Sequence, residues 1–114
     1  MPYEVKQSVM DAMRVCQQIM NYTAGLTLEI YQGDCQLRHS VERAYEILGE
    51  AFKRIEKVDP SFRESFPEMG DIIGMRNRLI HGYDVVDDEV VWRTAEENIP
   101  ALMEKLAAWL KESQ

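Results

Sequence analysis

Long apolar runs are missing from this sequence. Nothing in it approaches the ~20 consecutive apolar residues that cross a bilayer, so no membrane span is expected. Glycine and proline number only six and four in 114 residues, which leaves no room for a low-complexity tract or a flexible linker. Cysteine is scarce as well. Two thiols, Cys16 and Cys35, do not make a disulfide framework, and a reduced cytoplasmic protein is expected. The first residues, MPYEVKQSVMDAM, carry no basic start leading into an apolar stretch, so no secretory signal is expected. No glycine-rich phosphate loop is found. A basic excess is also absent. The net charge is −7, which by itself argues against a phosphate-binding surface spread over the whole protein.

What is present is a globular composition. Apolar residues make up 46% and charged residues 29%, enough of each for one soluble domain spanning residues 1–114 with one core. The acidity is uneven. Residues 84–114 hold three basic and eight acidic groups, whereas residues 61–83 hold three of each. A local cationic site is therefore compatible with an acidic protein.

The apolar pattern is helical almost throughout. Val5, Val9, Met13, Cys16 and Met20 recur at three- and four-residue spacing and mark a first helix ending near Ala24-Gly25. LTLEIYQG reads as a bridge, after which Asp34 is placed to cap a second helix. That helix carries the clearest stripe: Leu37, Val41, Ala44, Tyr45, Leu48, Ala51, Phe52 and Ile55. Its other face, with Glu42 and Glu46 near basic residues, reads as solvated and salt-bridged. Asp59-Pro60 stops it. After a turn or a single helical turn over 61–67, a helix is expected from Glu68 to His81, with Gly82 placed to end it. VVDDEVV reads as a loop. Val91, Ala95, Ile99, Leu102, Leu106, Trp109 and Leu110 continue the stripe, with a break near residue 98 because Pro100 cannot sit inside a helix, and with Asn98 as a candidate cap. An all-α, antiparallel bundle of four to five helices follows.

The chemistry-bearing residues cluster in RNRLIHGY, Arg76–Tyr83. On a helix, Asn77 and His81 are i, i+4 neighbours, and Arg76 and His81 lie about 140° apart around the axis. Histidine ordinarily changes charge near neutral pH, as general acid–base catalysis requires. Arginine can hold a phosphate bidentately and stabilise charge in a pentacoordinate transition state. Read locally, two accounts fit: a solvated helix end, or half of a site that a homodimer would complete around a two-fold axis. Other constellations are poorer. Cys35 and His39 share a helix face, but a four-ligand metal site would need Cys16 and His81 as well, so no metal site is expected. Neither cysteine has a base at a recognisable spacing. The acidic last helix does not suit a lipid surface.

R-N-R-L-I-H resembles the Arg-polar-x-x-x-His signature of HEPN domains, and the continuation through Gly82 to Tyr83 resembles the Arg-x4-His-x-Tyr form of the HepT-like toxins in that superfamily. ERAYEILGEAFKRI is similar to the family's Gly-Glu-Ala helix, FPEMGDIIGMRNRLIHGYDVVDDEVVW to its motif segment and NIPALMEKL to its closing helix. One departure stands out: Gly70-Asp71 lies where the family commonly has a tryptophan. The resemblance implies a HEPN-like homodimer whose motif helices face a shared cleft. It implies a metal-independent endoribonuclease toxin with Arg76 and His81 as catalytic residues and Asn77 and Tyr83 as supporting motif residues, and without a cofactor. It also implies a minimal nucleotidyltransferase antitoxin that adenylylates Tyr83. Two competing readings remain at this point: a non-catalytic helical module that is partner or substrate of a nucleotidyltransferase or binds a nucleotide, and a purely structural dimerisation bundle.

Overall fold

The computed structural model describes residues 3–81 and 87–113. Seven helices are found among them and no strands: α1 (Tyr3–Thr23), α2 (Leu28–Gly33), α3 (Cys35–Val58), α4 (Phe62–Ser65), α5 (Glu68–His81), α6 (Asp88–Glu97) and α7 (Ile99–Glu112). Five are long. The bridge LTLEIYQG contains a further short helix, α2, because Thr27 caps it by accepting the Ile30 N–H at 3.2 Å. Of the two expectations for 61–67, the single helical turn is found, as α4.

Local signals set the helix ends. Gly25 follows α1 with φ +72°, the left-handed conformation that a side chain disfavours. Asp34 caps α3 by accepting the Leu37 N–H at 3.0 Å. Asp59 closes the same helix through its N–H to Ile55 O. Asp87 accepts from Glu89 and Val90 at 3.0 and 3.4 Å and starts α6. The break near 98 separates α6 from α7, and Pro100 falls in the first turn of α7, where its missing N–H costs nothing. Asn98 does not act as the expected side-chain cap. Its own N–H instead donates to Thr94 O, ending α6.

α3 lies at the centre, packed against α1 and α5, while α7 packs on α1 and α6 joins α7, α1 and α2. α1 and α3 run antiparallel: Arg54, late in α3, reaches Ser8 and Asp11, early in α1, at 3.3 and 3.4 Å. Val41, Ala44, Tyr45, Leu48, Ala51, Phe52 and Ile55 are all buried, as the stripe on α3 predicts. In α1 the stripe shifts. Ala12, Val15 and Ile19 are buried with Val5, Val9 and Cys16, and the larger Met13 and Met20 pack at the margin. Two contacts tie α6 in: the buried Tyr45 hydroxyl donates to Val91 O at 3.2 Å, and the Tyr31 and Trp92 rings lie 5.4 Å apart. At the other end, Phe62 stacks on Phe66 and meets Trp109 edge-on. No helix among the described residues is long and apolar enough to cross a membrane.

Candidate active site

α5 carries the motif. It buries Met69, Ile72 and Met75 against the core, with Ile73 and Leu79 partly covered, and this fixes which residues face outward. Arg76 is next to the buried stripe and is half-buried. Its aliphatic stem lies against α3 at Gly49. Its Nη1 donates to Asn77 Oδ1 at 2.8 Å. Its Nε is buried and has no hydrogen-bond partner among the described residues. No carboxylate among those residues pairs with it either. Five of the seven other arginines, Arg14, Arg43, Arg54, Arg63 and Arg93, each pair with an aspartate or glutamate, and Arg38 donates to the Gln32 carbonyl. A half-buried guanidinium held by a neutral amide keeps its charge available to an external anion, which then need not displace a carboxylate.

His81 is exposed on the last turn of α5, one helix with Arg76 and Asn77, so all three described motif residues come from a single rigid element. Asn77 is half-buried, and Ile80, 41% exposed, lies between the two polar positions as an apolar surface residue. Gly82 and Tyr83 lie outside the described residues. Beside α5 a cavity of about 370 Å³ opens toward α6, lined by Gly70, Gly74, Met75, Arg78, Val90 and Thr94 among others. Among the described residues, its lining does not include Arg76, Asn77 or His81.

The remaining candidates fall away on geometry. Cys16 is buried in the core, and burial pushes its thiol up to about 12, which removes it as a nucleophile. Cys35 is exposed, with its Sγ 3.7 and 3.8 Å from the ring nitrogens of His39. Among the described residues no three His, Cys, Asp or Glu side chains come together as a metal site.

Two residues gained importance only from the structure. One is Gly49, on which Arg76 rests. The other is Glu42, read from sequence as part of a solvated, salt-bridged face. Glu46 does pair with Arg43, at 3.6 Å, but Glu42 is half-buried, with His39, Asp88 and Arg38 in electrostatic reach. Burial raises its carboxyl above the ordinary value of 4.5. His39 and Arg38 oppose this, and Asp88 and Glu46 add to it. A raised carboxyl contributes stability below its unfolded pKa, and that contribution is lost as pH rises through the folded pKa. Glu42→Gln is therefore expected to stabilise the protein modestly at neutral pH, the exposed part of the group being screened, and to leave it unchanged near pH 4. Urea unfolding of both proteins at the two pH values measures this. An equal effect at both would mean that packing, not charge, decides.

Comparison with known proteins identifies the family of the chain. The sequence profile of the family described as ribonuclease HepT-like matches residues 13–108. A Methanocaldococcus jannaschii protein that carries a provisional RNase name is 31% identical over 111 residues, covering 96% of this chain and 89% of that one. A Thermococcus cleftensis protein named "Probable ribonuclease HepT" is 34% identical over 102 residues, covering 88% of this chain and 90% of its own. No solved structure matches the chain. The all-helical fold is consistent with a profile that covers most of the sequence, and the chain belongs to the HepT-like ribonuclease family.

Proposed function

We propose that this protein is a metal-independent endoribonuclease, the toxin of a toxin–antitoxin pair acting in the cytoplasm, with Arg76 and His81 as its catalytic residues. The observation that carries this reading is Arg76 itself: half-buried, steadied by Asn77 and without a carboxylate partner among the described residues, on the same helix as an exposed His81. One chain supplies one histidine of the motif. A homodimer pairing through α5 would supply two, which suits RNA cleavage. One His81 takes the proton of a ribose 2′-hydroxyl, whose oxygen then attacks the adjacent phosphorus. The other protonates the departing 5′-oxygen. The products are a 2′,3′-cyclic phosphate and a 5′-hydroxyl. Arg76 holds the non-bridging oxygens as charge builds on them.

The partner is a minimal nucleotidyltransferase antitoxin. It transfers AMP from ATP to the Tyr83 hydroxyl and releases pyrophosphate. The added negative charge next to the arginine opposes RNA binding, as a phosphoryl group would. The net charge of −7 favours a second reading, a non-catalytic module that serves only as partner or substrate of such a transferase or binds a nucleotide.

Cleavage of a labelled RNA by the purified chain in excess EDTA separates these. Wild type is expected to release fragments with cyclic phosphate ends. Arg76→Ala is expected to lose about 10²–10³-fold in rate, the usual cost of one transition-state donor. Absence of cleavage by wild type, with Tyr83 shown unmodified by intact mass, would favour the binding module.

A further inference from the structure

Glycine inside a helix is normally a loss. It weakens the element by roughly 0.5–1 kcal/mol relative to alanine. Gly49 lies in the middle of α3, is buried and has no positive φ, so backbone freedom does not explain it. Space does. A Cβ at position 49 would lie 2.4 Å from Arg76 Cβ and 2.7 Å from Arg76 Cγ. Carbon atoms in contact prefer about 3.5–4.0 Å, so a methyl group there would need a shift of about 1 Å. Arg76 Cβ is attached directly to the backbone of α5, so changing a side-chain rotamer cannot provide it. The helix has to move. Gly33 and Gly74 face open space at the corresponding position, and Gly70 meets only the far end of Arg63. Among the described glycines, Gly49 is where two helix backbones come close together.

We infer that Gly49 is a positioning residue for Arg76: by lacking a side chain it lets α5 sit at the depth that buries the Arg76 stem and sets where its guanidinium emerges. Asn77 then fixes the outer end through the 2.8 Å hydrogen bond. The stem is thus held from beneath by α3 and the head from the side by Asn77. This inference rests on the ribonuclease reading, because Arg76 must act on RNA for its position to matter. A displacement of about 1 Å in a catalytic group can lower a rate by roughly 10²-fold.

The contact itself gives a second test. The third-nearest atom to a Cβ at position 49 is Arg76 Cδ at 3.4 Å, so every atom outside the Arg76 side chain is at ordinary contact distance or beyond. Removing that side chain removes the clash. Gly49→Ala is therefore expected to lower Tm when residue 76 is arginine, and to raise it or leave it unchanged in the Arg76→Gly background, where only the better helix propensity of alanine remains. In single-turnover RNA cleavage with enzyme in excess, Gly49→Ala is expected to cost about 10²-fold with Arg76 present and less than about threefold on the residual rate of Arg76→Gly. A purely structural role would lower the rate by the same factor in both backgrounds, and that outcome would overturn the inference. Wild-type cleavage rates in Gly49→Ala would also overturn it while leaving the ribonuclease reading intact. A wild type and Arg76→Ala that are equally active would remove Arg76 from catalysis, and the inference with it. If Gly49→Ala does not fold, recovery of the fold in Gly49→Ala/Arg76→Gly supports the contact, and failure of the double variant overturns it.

Discussion

His81→Ala is expected to lower RNA cleavage by about 10²–10⁴-fold while leaving the helical circular dichroism and the Tm close to wild type. The rate loss follows from the proposed chemistry. In a site with two-fold symmetry the same substitution removes both the base that activates the 2′-hydroxyl and the acid that protonates the leaving oxygen. The unchanged fold follows from the structure: His81 is exposed on the last turn of α5, beyond the buried Met69, Ile72 and Met75 that attach the helix to the core. Exposed substitutions of this kind usually change stability by less than about 0.5 kcal/mol. The two readouts must therefore separate. Full cleavage by a folded His81→Ala protein would remove this residue from the mechanism. A parallel fall in Tm and rate would assign the loss to folding instead.

Phe52→Ala should do the opposite. The ring is fully buried on α3, the helix that both α1 and α5 pack against. Truncation removes its transfer free energy and leaves a cavity that three helices cannot close together. The expected cost is about 3–5 kcal/mol. A domain of this size has roughly 5–15 kcal/mol in total. At about 4 °C per kcal/mol, Tm should fall by about 15 °C. Cleavage per folded molecule, measured well below the new Tm, should remain within about threefold of wild type if Arg76 keeps its seat on α3. A loss under 1 kcal/mol would mean that the core around Phe52 collapses to fill the space.

These two expectations mark how far the sequence could be read. The helices were legible because their signals are local. Asp34 caps the helix it precedes, Asp59-Pro60 stops it, and Pro100 divides the last apolar stripe where its missing N–H is harmless. The stripe of α3 predicted its buried face from Val41 to Ile55, with Leu37 only partly covered, since 3.6-residue periodicity and burial have one cause. The motif was legible as a helix end carrying an arginine, an amide and a histidine. Errors came where local and distant demands differ. LTLEIYQG, short and weakly periodic, read as a bridge, yet it forms α2 once Thr27 caps it and Tyr31 is buried against Trp92.

What the sequence by itself determined was therefore which segments are helical, where they stop and which face of each is apolar. Those properties depend on residues within one or two turns of each other. Only the tertiary structure decided the state of the charged groups. Glu42 has basic residues within a turn, yet it is half-buried, and burial is the largest influence on its carboxyl. Arg76 could have been one more solvated arginine. It is instead seated on Gly49, 27 positions earlier in the chain, with no carboxylate beside it among the described residues. A charge takes its energy from everything within several ångströms, and in a bundle most of that environment comes from other helices.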